Sequence, residues 1–272
     1  MNKISIVQDI LEVENILDQY FRNGTHTNNY ILAKEYEKAI NEKILYKFIT
    51  QDNAFLLLDK GNCYRVYYFI NDTTFYEIPK TDKVLVLEIL YRGKSNFPDE
   101  MVKFWVNNNF NEHLLRDCYS LKPNQIVVVK TIVDSQIKIK LADKLEESEY
   151  ARHLIKKYLD PYTGDPLSLE KLEEYRKSGY LFCAYFGSQK CGILQGEFKN
   201  NVWWLGHIVV EENYRGYRIG NALTEAYIQK GLEISCNMFQ LWVIQDNEPA
   251  VNLYKKFGFS YFNRSTISLI QK

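Results

Sequence analysis

Residues 208–223 constrain the possible folds of this chain more than any other stretch. The apolar run Ile208-Val209-Val210 ends at a polar turn, and a basic, glycine-containing loop follows and opens directly into a helix. This order brings together unpaired helix N–H groups, the positive end of a helix dipole and two arginines, Arg215 and Arg218. Such a junction predicts an α/β fold that binds a phosphorylated ligand.

The sequence on both sides of this loop shows regular periodicity. Apolar residues from Ile219 to Leu232 recur at helical spacing, which predicts a helix. Three strands are predicted upstream, over residues 180–186, 191–198 and 202–210, and polar turns separate them. A strand over 239–243 and a helix over 247–256, ended by Gly258, are predicted downstream. The expected order is three strands, phosphate loop, helix, strand and helix.

Three phosphate-binding motifs compete for the loop. A P-loop needs Lys and then Ser or Thr after its second glycine, but Asn221-Ala222 follows Gly220. A dinucleotide loop needs three glycines, and only Gly216 and Gly220 are present. The third motif is Arg or Gln, two residues, Gly, one residue, then Gly or Ala. Arg215 and Gly220 fit it, while Arg218 stands where the motif has its middle glycine.

This third motif is the acetyl-coenzyme A loop of the GCN5-related N-acetyltransferases (GNAT), and the chain resembles that family. A second signature supports the resemblance, because Asn247, Ala250, Leu253-Tyr254 and Gly258-Phe259 match its spacing without a gap. The resemblance covers roughly residues 145–270. It implies a mixed, mostly antiparallel sheet that is flanked by helices and splayed at its fourth and fifth strands.

The amino-terminal half contains a similar series of elements. Helices are predicted over 4–21, 31–40 and 99–106, and strands over 55–58, 64–70 and 84–91. Tyr91-Arg92-Gly93 echoes Tyr214-Arg215-Gly216, although chance similarity of common elements is the alternative. We therefore expect an α/β (α+β) chain of two tandem GNAT-like domains, 1–135 and 136–272, joined near residues 132–141. The first loop lacks the second glycine, so its domain is expected to lack a cofactor.

Composition limits the partners of the chain. Lys+Arg and Asp+Glu are equal at 34 each, so no net field favours nucleic acid or an anionic membrane. No apolar run is long enough to span a bilayer, and the first residues lack a signal-peptide core. The five cysteines are scattered without a CxxC pair, which favours free thiols in a reducing cytoplasm and no metal site. A cytoplasmic monomer or homodimer is expected.

The resemblance implies that acetyl-coenzyme A is the cofactor and that a small-molecule or peptide amine is the acceptor. The expected cofactor contacts lie on the fourth strand, the loop and the second signature: Ile208, Val209, Val210, Arg215, Gly216, Tyr217, Arg218, Ile219, Gly220, Asn221, Asn247 and Tyr254. Asn247 is equally suited to cap the next helix. Arg218 either supplies charge to the cofactor or lies solvated on the helix face.

The resemblance also suggests catalytic residues. Tyr254 matches the family tyrosine that acts as a general acid, although packing in the core is the alternative. Glu197 and Glu211 are candidate bases, because an amine must lose a proton before it attacks. His207 shares strand parity with Val209 and is expected to point away from the cleft. The expected activity is direct acetyl transfer to a primary amine; the rival is a non-catalytic acyl-coenzyme A-binding or scaffold protein.

Overall fold

The computed structural model describes residues 3–74, 77–129, 134–164 and 166–272. These residues form two compact units. The first contains the described residues up to Leu115 together with Ser265–Lys272, and the second contains Arg116–Arg264. This division differs from the predicted boundary at 135/136, because the last strand of the chain belongs to the first unit. Residues 132 and 133 of the predicted linker lie outside the described residues.

The bounds of the helices and strands determine which residues can reach the site. In chain order these elements are β1 (Ser5–Ile6), α1 (Ile10–Tyr20), β2 (His26–Thr27), α2 (Ala33–Asn41), β3 (Leu45–Ile49), β4 (Asn53–Asp59), β5 (Cys63–Ile70), β6 (Val84–Tyr91), α3 (Asp99–Asn107), β7 (Asn111–Leu121), β8 (Ile137–Leu141), α4 (Leu145–Tyr158), α5 (Leu169–Lys177), β9 (Leu181–Phe186), β10 (Gln189–Lys199), β11 (Val202–Val210), α6 (Ile219–Glu233), β12 (Met238–Ile244), α7 (Glu248–Lys256) and β13 (Ser260–Gln271).

The first unit is a mixed, mostly antiparallel sheet with helices on both faces. Its strand order is β1-β3-β4-β5-β6-β13, and only β5 and β6 pair in parallel. One face packs against α1 and α2, and the other packs against α3 around the fully buried Trp105. The predicted helix over 4–21 is therefore corrected: Ser5–Ile6 is a strand, and α1 starts after Asp9, whose carboxylate accepts from the Glu12 amide.

The second unit has the same construction, with strand order β7-β12-β11-β10-β9-β8. Helices α6 and α7 cover one face, and α4 and α5 cover the other. Helix α4 spans residues 145–158, and its first turn is fixed because Glu147 accepts from the Asp143 and Lys144 amides. The segment 137–141, expected to lie in a linker, is strand β8, which pairs with β9.

The pairing also corrects the alignment of the two halves. Strand β6 lies parallel to β5, as β12 lies parallel to β11, so β5 corresponds to β11. Tyr91-Arg92-Gly93 follows β6 and therefore corresponds to the end of β12, not to the loop at Tyr214-Arg215-Gly216. The sequence echo does not mark equivalent loops.

No helix in the described part of the chain is both long and apolar enough to cross a membrane.

Candidate active site

The second unit contains a cleft between β11 and β12. These strands pair only where Val202–Leu205 runs beside Met238–Leu241, and both strands continue beyond that pairing. The backbone of residues 206–210 therefore borders an opening, which we call the second cleft. Ile208 and Val210 pack on the α6–α7 side of the sheet, while Val209 packs on the α4–α5 side. The expected splay is present.

The loop at the outer end of this cleft ends in the first turn of α6. The Ala222 amide donates to the Arg218 carbonyl and begins the helical ladder, so the amides of Ile219, Gly220 and Asn221 precede it. No side chain among the described residues caps this helix. Three adjacent N–H groups at a positive dipole end form an anion site.

Arg218 occupies the left-handed region, with φ 62°. The motif has glycine at this position because glycine adopts positive φ without steric cost. An arginine in this conformation keeps the backbone geometry of the motif and places a side chain where the motif has none. Gly216, two residues earlier, has φ 88°. The loop thus contains two residues with positive φ, one of them the arginine that departs from the motif.

Side chains of the loop anchor it to β9, β11 and α4. The Tyr217 ring lies 5.3 Å from the ring of Phe186 on β9, and the Tyr214 ring lies 5.8 Å from it. The Arg215 guanidinium lies 5.3 Å above the Tyr158 ring, and its Nε donates to the Val210 carbonyl at 3.4 Å. Arg215 therefore fixes the loop to β11 and α4, rather than extending from it as a free cation.

The second signature forms helix α7 and its cap. The Asn247 carboxamide accepts from the Ala250 amide at 3.3 Å, so Asn247 caps α7. Tyr254 is 3% exposed and packs its ring 5.9 Å from Phe259 on the α6–α7 side. Burial raises the pKa of Tyr254 well above 10, so its hydroxyl stays protonated at neutral pH.

The two candidate bases lie at opposite ends of β11. Glu211 follows the strand and is engaged by α4: Tyr158 donates to it at 3.3 Å, and Lys157 Nζ lies 3.5 Å away. Glu197 is paired with Trp204, seven residues earlier along β11, which is roughly 23 Å away. The structure does not bring the two carboxylates together.

Glu197 lies on β10 beside Trp204, where β11 is still paired with β12, and it points to the α4–α5 side. It shares that face with Gln195, because alternate residues of a strand point the same way. It lines a surface concavity of about 360 Å³ with Lys199, Asn200, Val202 and Trp204. Among the described residues, the Glu197 carboxylate has no hydrogen bond or ion pair.

His207 was expected to face away from the cofactor side, and it shares the α4–α5 face with Val209. Its Nε2 lies 3.0 Å from the Gly164 carbonyl, in the connection between α4 and α5. Nearby, Arg116 Nη2 donates to the Thr163 hydroxyl at 2.5 Å. Sequence reasoning missed this connection, because Thr163 and Gly164 carry no motif.

The cysteines of this unit are poor nucleophiles. Burial raises the pKa of Cys183 to about 12 and that of Cys191 to about 11, so both remain thiols at neutral pH. In the parts of the chain that the structure describes, no group of His, Cys, Asp and Glu is arranged to hold a metal ion.

The first unit has a corresponding cleft between β5 and β6, which we call the first cleft. Its strands pair only from Cys63–Arg65 with Val84–Val86 and then diverge. Strand β2 and Asn28 fill the space. β2 pairs with the end of β5 at Phe69 and Ile70. The Asn28 amide donates to the Val66 carbonyl at 2.9 Å and to the Glu88 carbonyl at 3.1 Å, and its oxygen accepts from the Tyr68 amide at 2.9 Å.

A comparison with known protein families matches the region of the chain that contains the second cleft. Residues 144–259 match the Acetyltransferase (GNAT) family. Over 87 residues the chain is 30% identical to N-alpha-acetyltransferase 30 of Dictyostelium discoideum, a match that covers 30% of this chain and 47% of that protein. The chain spans about half the length of the curated relatives it matches.

Two solved structures match almost the whole chain. A GCN5-related N-acetyltransferase from Sphaerobacter thermophilus has a TM-score of 0.64 at 10% identity, covering 100% of this chain and 95% of that chain. A tandem GNAT protein from the clavulanic acid biosynthesis pathway has a TM-score of 0.62 at 13% identity, covering 99% and 98%. At these identities the likeness concerns the fold, and it confirms the expected GNAT-like architecture.

Proposed function

Residues 144–259 form a domain of the acetyltransferase (GNAT) family, and we propose that this domain moves an acetyl group from acetyl-coenzyme A directly to a primary amine. The observation that carries the proposal is the second cleft, whose outer end presents three helix amides. Both curated relatives with the strongest support are N-acetyltransferases by name. The chain itself is proposed to share that reaction type.

The residues of the cleft fit acetyl-coenzyme A. The amides of residues 219–221 would receive the pyrophosphate, and the backbone of residues 206–210 would receive the amide-containing arm. A Cβ built on Gly220 would lie 3.5 Å from Leu253 Cδ2, so the missing side chain leaves the helix start accessible. When bound, acetyl-coenzyme A supplies the activated acetyl thioester.

Protein side chains would take the proton from the attacking amine and supply one to the leaving thiolate. An alkylammonium has a pKa near 10.4, so an amine held neutral at pH 7 costs roughly 4–5 kcal/mol. We propose Glu197 as the base that takes this proton, because it is an exposed carboxylate on the α4–α5 face and has no partner among the described residues. Glu211 is disfavoured, since it lies at the phosphate end and is bound by Tyr158 and Lys157.

Tyr254 is proposed as the donor to the leaving thiolate. It lies on the α6–α7 side, opposite the face that carries Glu197, so the acid and the base approach from different sides of the sheet. Direct transfer is favoured over an acyl-cysteine, because Cys183 and Cys191 stay protonated. The cytoplasmic location expected from the cysteines stays a prediction.

Turnover of acetyl-coenzyme A with a panel of amines tests the proposal. The panel comprises polyamines, amino acids and peptides with free amino termini, and free thiol is the readout. Amine-dependent release of coenzyme A is expected with at least one class. Coenzyme A binding without transfer to any amine would instead favour a non-catalytic acyl-coenzyme A-binding protein.

A further inference from the structure

His207 on β11 is enclosed by two oxygen acceptors. It is 7% exposed, its Nδ1 lies 2.9 Å from Gln195 Oε1, and its Nε2 lies 3.0 Å from the Gly164 carbonyl. The Gln195 amide cannot be turned round, because its Nε2 donates to the Gly196 carbonyl at 2.7 Å. Both ring nitrogens therefore lie against oxygen atoms, and the ring links Gln195 on β10 to Gly164 in the connection between α4 and α5.

Gly206 makes this arrangement possible. It is the extra residue of a bulge in β11, since Gln195 pairs with His207 while Gly196 pairs with Leu205. A Cβ on Gly206 would lie 2.1 Å from Gln195 Oε1. Any other residue there would push the amide away from the imidazole, so the bulge, the amide and the imidazole form one unit.

The connection between α4 and α5 is thus held on both sides of the second cleft. His207 on β11 binds Gly164, and Arg116 on β7 binds Thr163, while Arg116 is paired with Ile244 at the end of β12. Within the connection, Asp160 Oδ1 accepts from the Thr163 amide and hydroxyl, both at 2.7 Å. The connection therefore crosses the splayed part of the sheet on the face that carries Glu197.

We infer that His207 is a positioning residue that holds residues 159–164 of the α4–α5 connection across the second cleft as one wall of the amine site. This inference rests on the proposed function of the same cleft. The hydrogen bonds of His207 described above link it to Gln195 and to the wall at Gly164. Its loss should therefore weaken capture of the amine while it leaves coenzyme A affinity unchanged.

Steady-state kinetics of His207→Gln test the inference, with His153→Gln on the exposed face of α4 as the matched control. We expect the KM for the best amine of the panel to rise on the order of tenfold, because small displacements of a binding wall weaken orientation. The Kd of coenzyme A should change less than twofold, as should both constants in the control. An unchanged KM, or equal losses for amine and coenzyme A, would overturn the inference.

Ring NMR, a variant of the second anchor and hydrogen exchange complete the test. Nitrogen-15 NMR of the wild-type ring should show a proton on Nε2 at pH 7, because Nε2 donates to the Gly164 carbonyl, and an Nε2 without a proton would contradict the inference. Thr163→Val removes the acceptor of the other anchor and should raise amine KM in the same way. If the wild type acetylates no amine, the proposed function fails; hydrogen exchange of residues 159–164 still decides whether His207→Gln releases the connection.

Discussion

The two units solve the same structural problem in different ways. In each, two parallel strands pair over a few residues and then diverge, which leaves backbone groups at the sheet centre without partners. In the first cleft the chain supplies those partners through β2 and Asn28. In the second cleft no strand of the described residues pairs with residues 206–210 on the β12 side. Apart from the Val210 carbonyl, which accepts from Arg215, this backbone is open to solvent or to a ligand.

The segments that follow β11 and β5, the equivalent strands of the two units, also differ. After β11 comes the loop and helix α6, whose first amides form an anion site. After β5 the described residues up to β6 contain no helix, and Asn53 fixes the turn by accepting from the Asn71 and Asp72 amides. The first cleft thus has neither a free groove nor a phosphate site. We propose that the first unit does not bind coenzyme A.

The largest effect is expected at Glu197, the proposed general base. Glu197→Gln keeps the size of the side chain and removes its ability to accept a proton, so kcat/KM should fall by ~10²–10⁴-fold. Glu211→Gln is the matched control and should stay within a few-fold, because Glu211 lies at the phosphate end. Amine-dependent release of thiol measures both. Equal losses in the two variants would remove the assignment of the base.

Strand β2 and Asn28, which fill the first cleft and which we call its strap, offer the next largest effect. Asn28→Ala leaves the Val66 and Glu88 carbonyls and the Tyr68 amide without their partner, and burial of such groups costs about 1–3 kcal/mol each. We expect a loss of about 3 kcal/mol in the free energy of unfolding, measured in urea. Asn23→Ala, at an exposed position, is the control.

Calorimetry on the same variant sharpens the comparison. Coenzyme A should bind at one site per chain in the wild type and in Asn28→Ala, because removal of the strap does not create a phosphate site. A second site in the variant would mean that Asn28 alone blocks a competent cleft.

One negative charge at the phosphate end of the second cleft should abolish the binding of coenzyme A. Gly220→Glu places a carboxylate beside the helix amides, where acidic residues favour the helix but repel phosphate. Wild-type stabilisation by coenzyme A is about 2.7 kcal/mol at a hundredfold excess over Kd. We expect the variant to lose that melting shift, while Gln229→Glu near the other end of α6 keeps it. A full shift in Gly220→Glu would place the cofactor elsewhere.

Tyr254→Phe tests the proposed general acid, which lies on the face of the sheet opposite to Glu197. The ring packing is preserved, so stability should change little. The hydroxyl is lost, so turnover should fall at or below the ~10²-fold end of the range for general acids, because a thiolate already leaves readily. The loss should appear in kcat and not in the affinity for coenzyme A. Wild-type turnover under conditions where chemistry limits the rate would make Tyr254 a packing residue.

The sequence predicted elements whose signals are local. Strand β11, helix α6 and the loop between them lie where periodicity and motif spacing placed them. Membership of a sheet is not a local property, so the return of β13 to the first unit had no sequence signal. Residues 137–141 were expected to lie in a linker between two domains, yet they pair with β9. Asn28 belongs to no motif, because its role depends on backbone groups of two distant strands.

The smallest effect concerns Arg218 in the loop of the second cleft. A side chain at φ 62° costs about 1–2 kcal/mol, which glycine avoids while it gains roughly 0.4–1 kcal/mol of freedom in the unfolded chain. Arg218→Gly should therefore stay within about 1 kcal/mol of the wild type in urea unfolding. Arg218→Ala keeps the strain and should be about 1 kcal/mol less stable than the glycine variant.

Coenzyme A binding to these two variants separates the alternatives for Arg218. If the guanidinium supplies charge to the phosphates, both variants bind more weakly than the wild type, and the difference shrinks as salt is added. If the arginine is solvated and only its Cβ keeps the cofactor at a distance, the glycine variant binds more tightly than the alanine variant and the wild type. Equal affinities for all three would mean that the left-handed backbone alone, and no side chain at this position, shapes the loop that distinguishes the second cleft from the first.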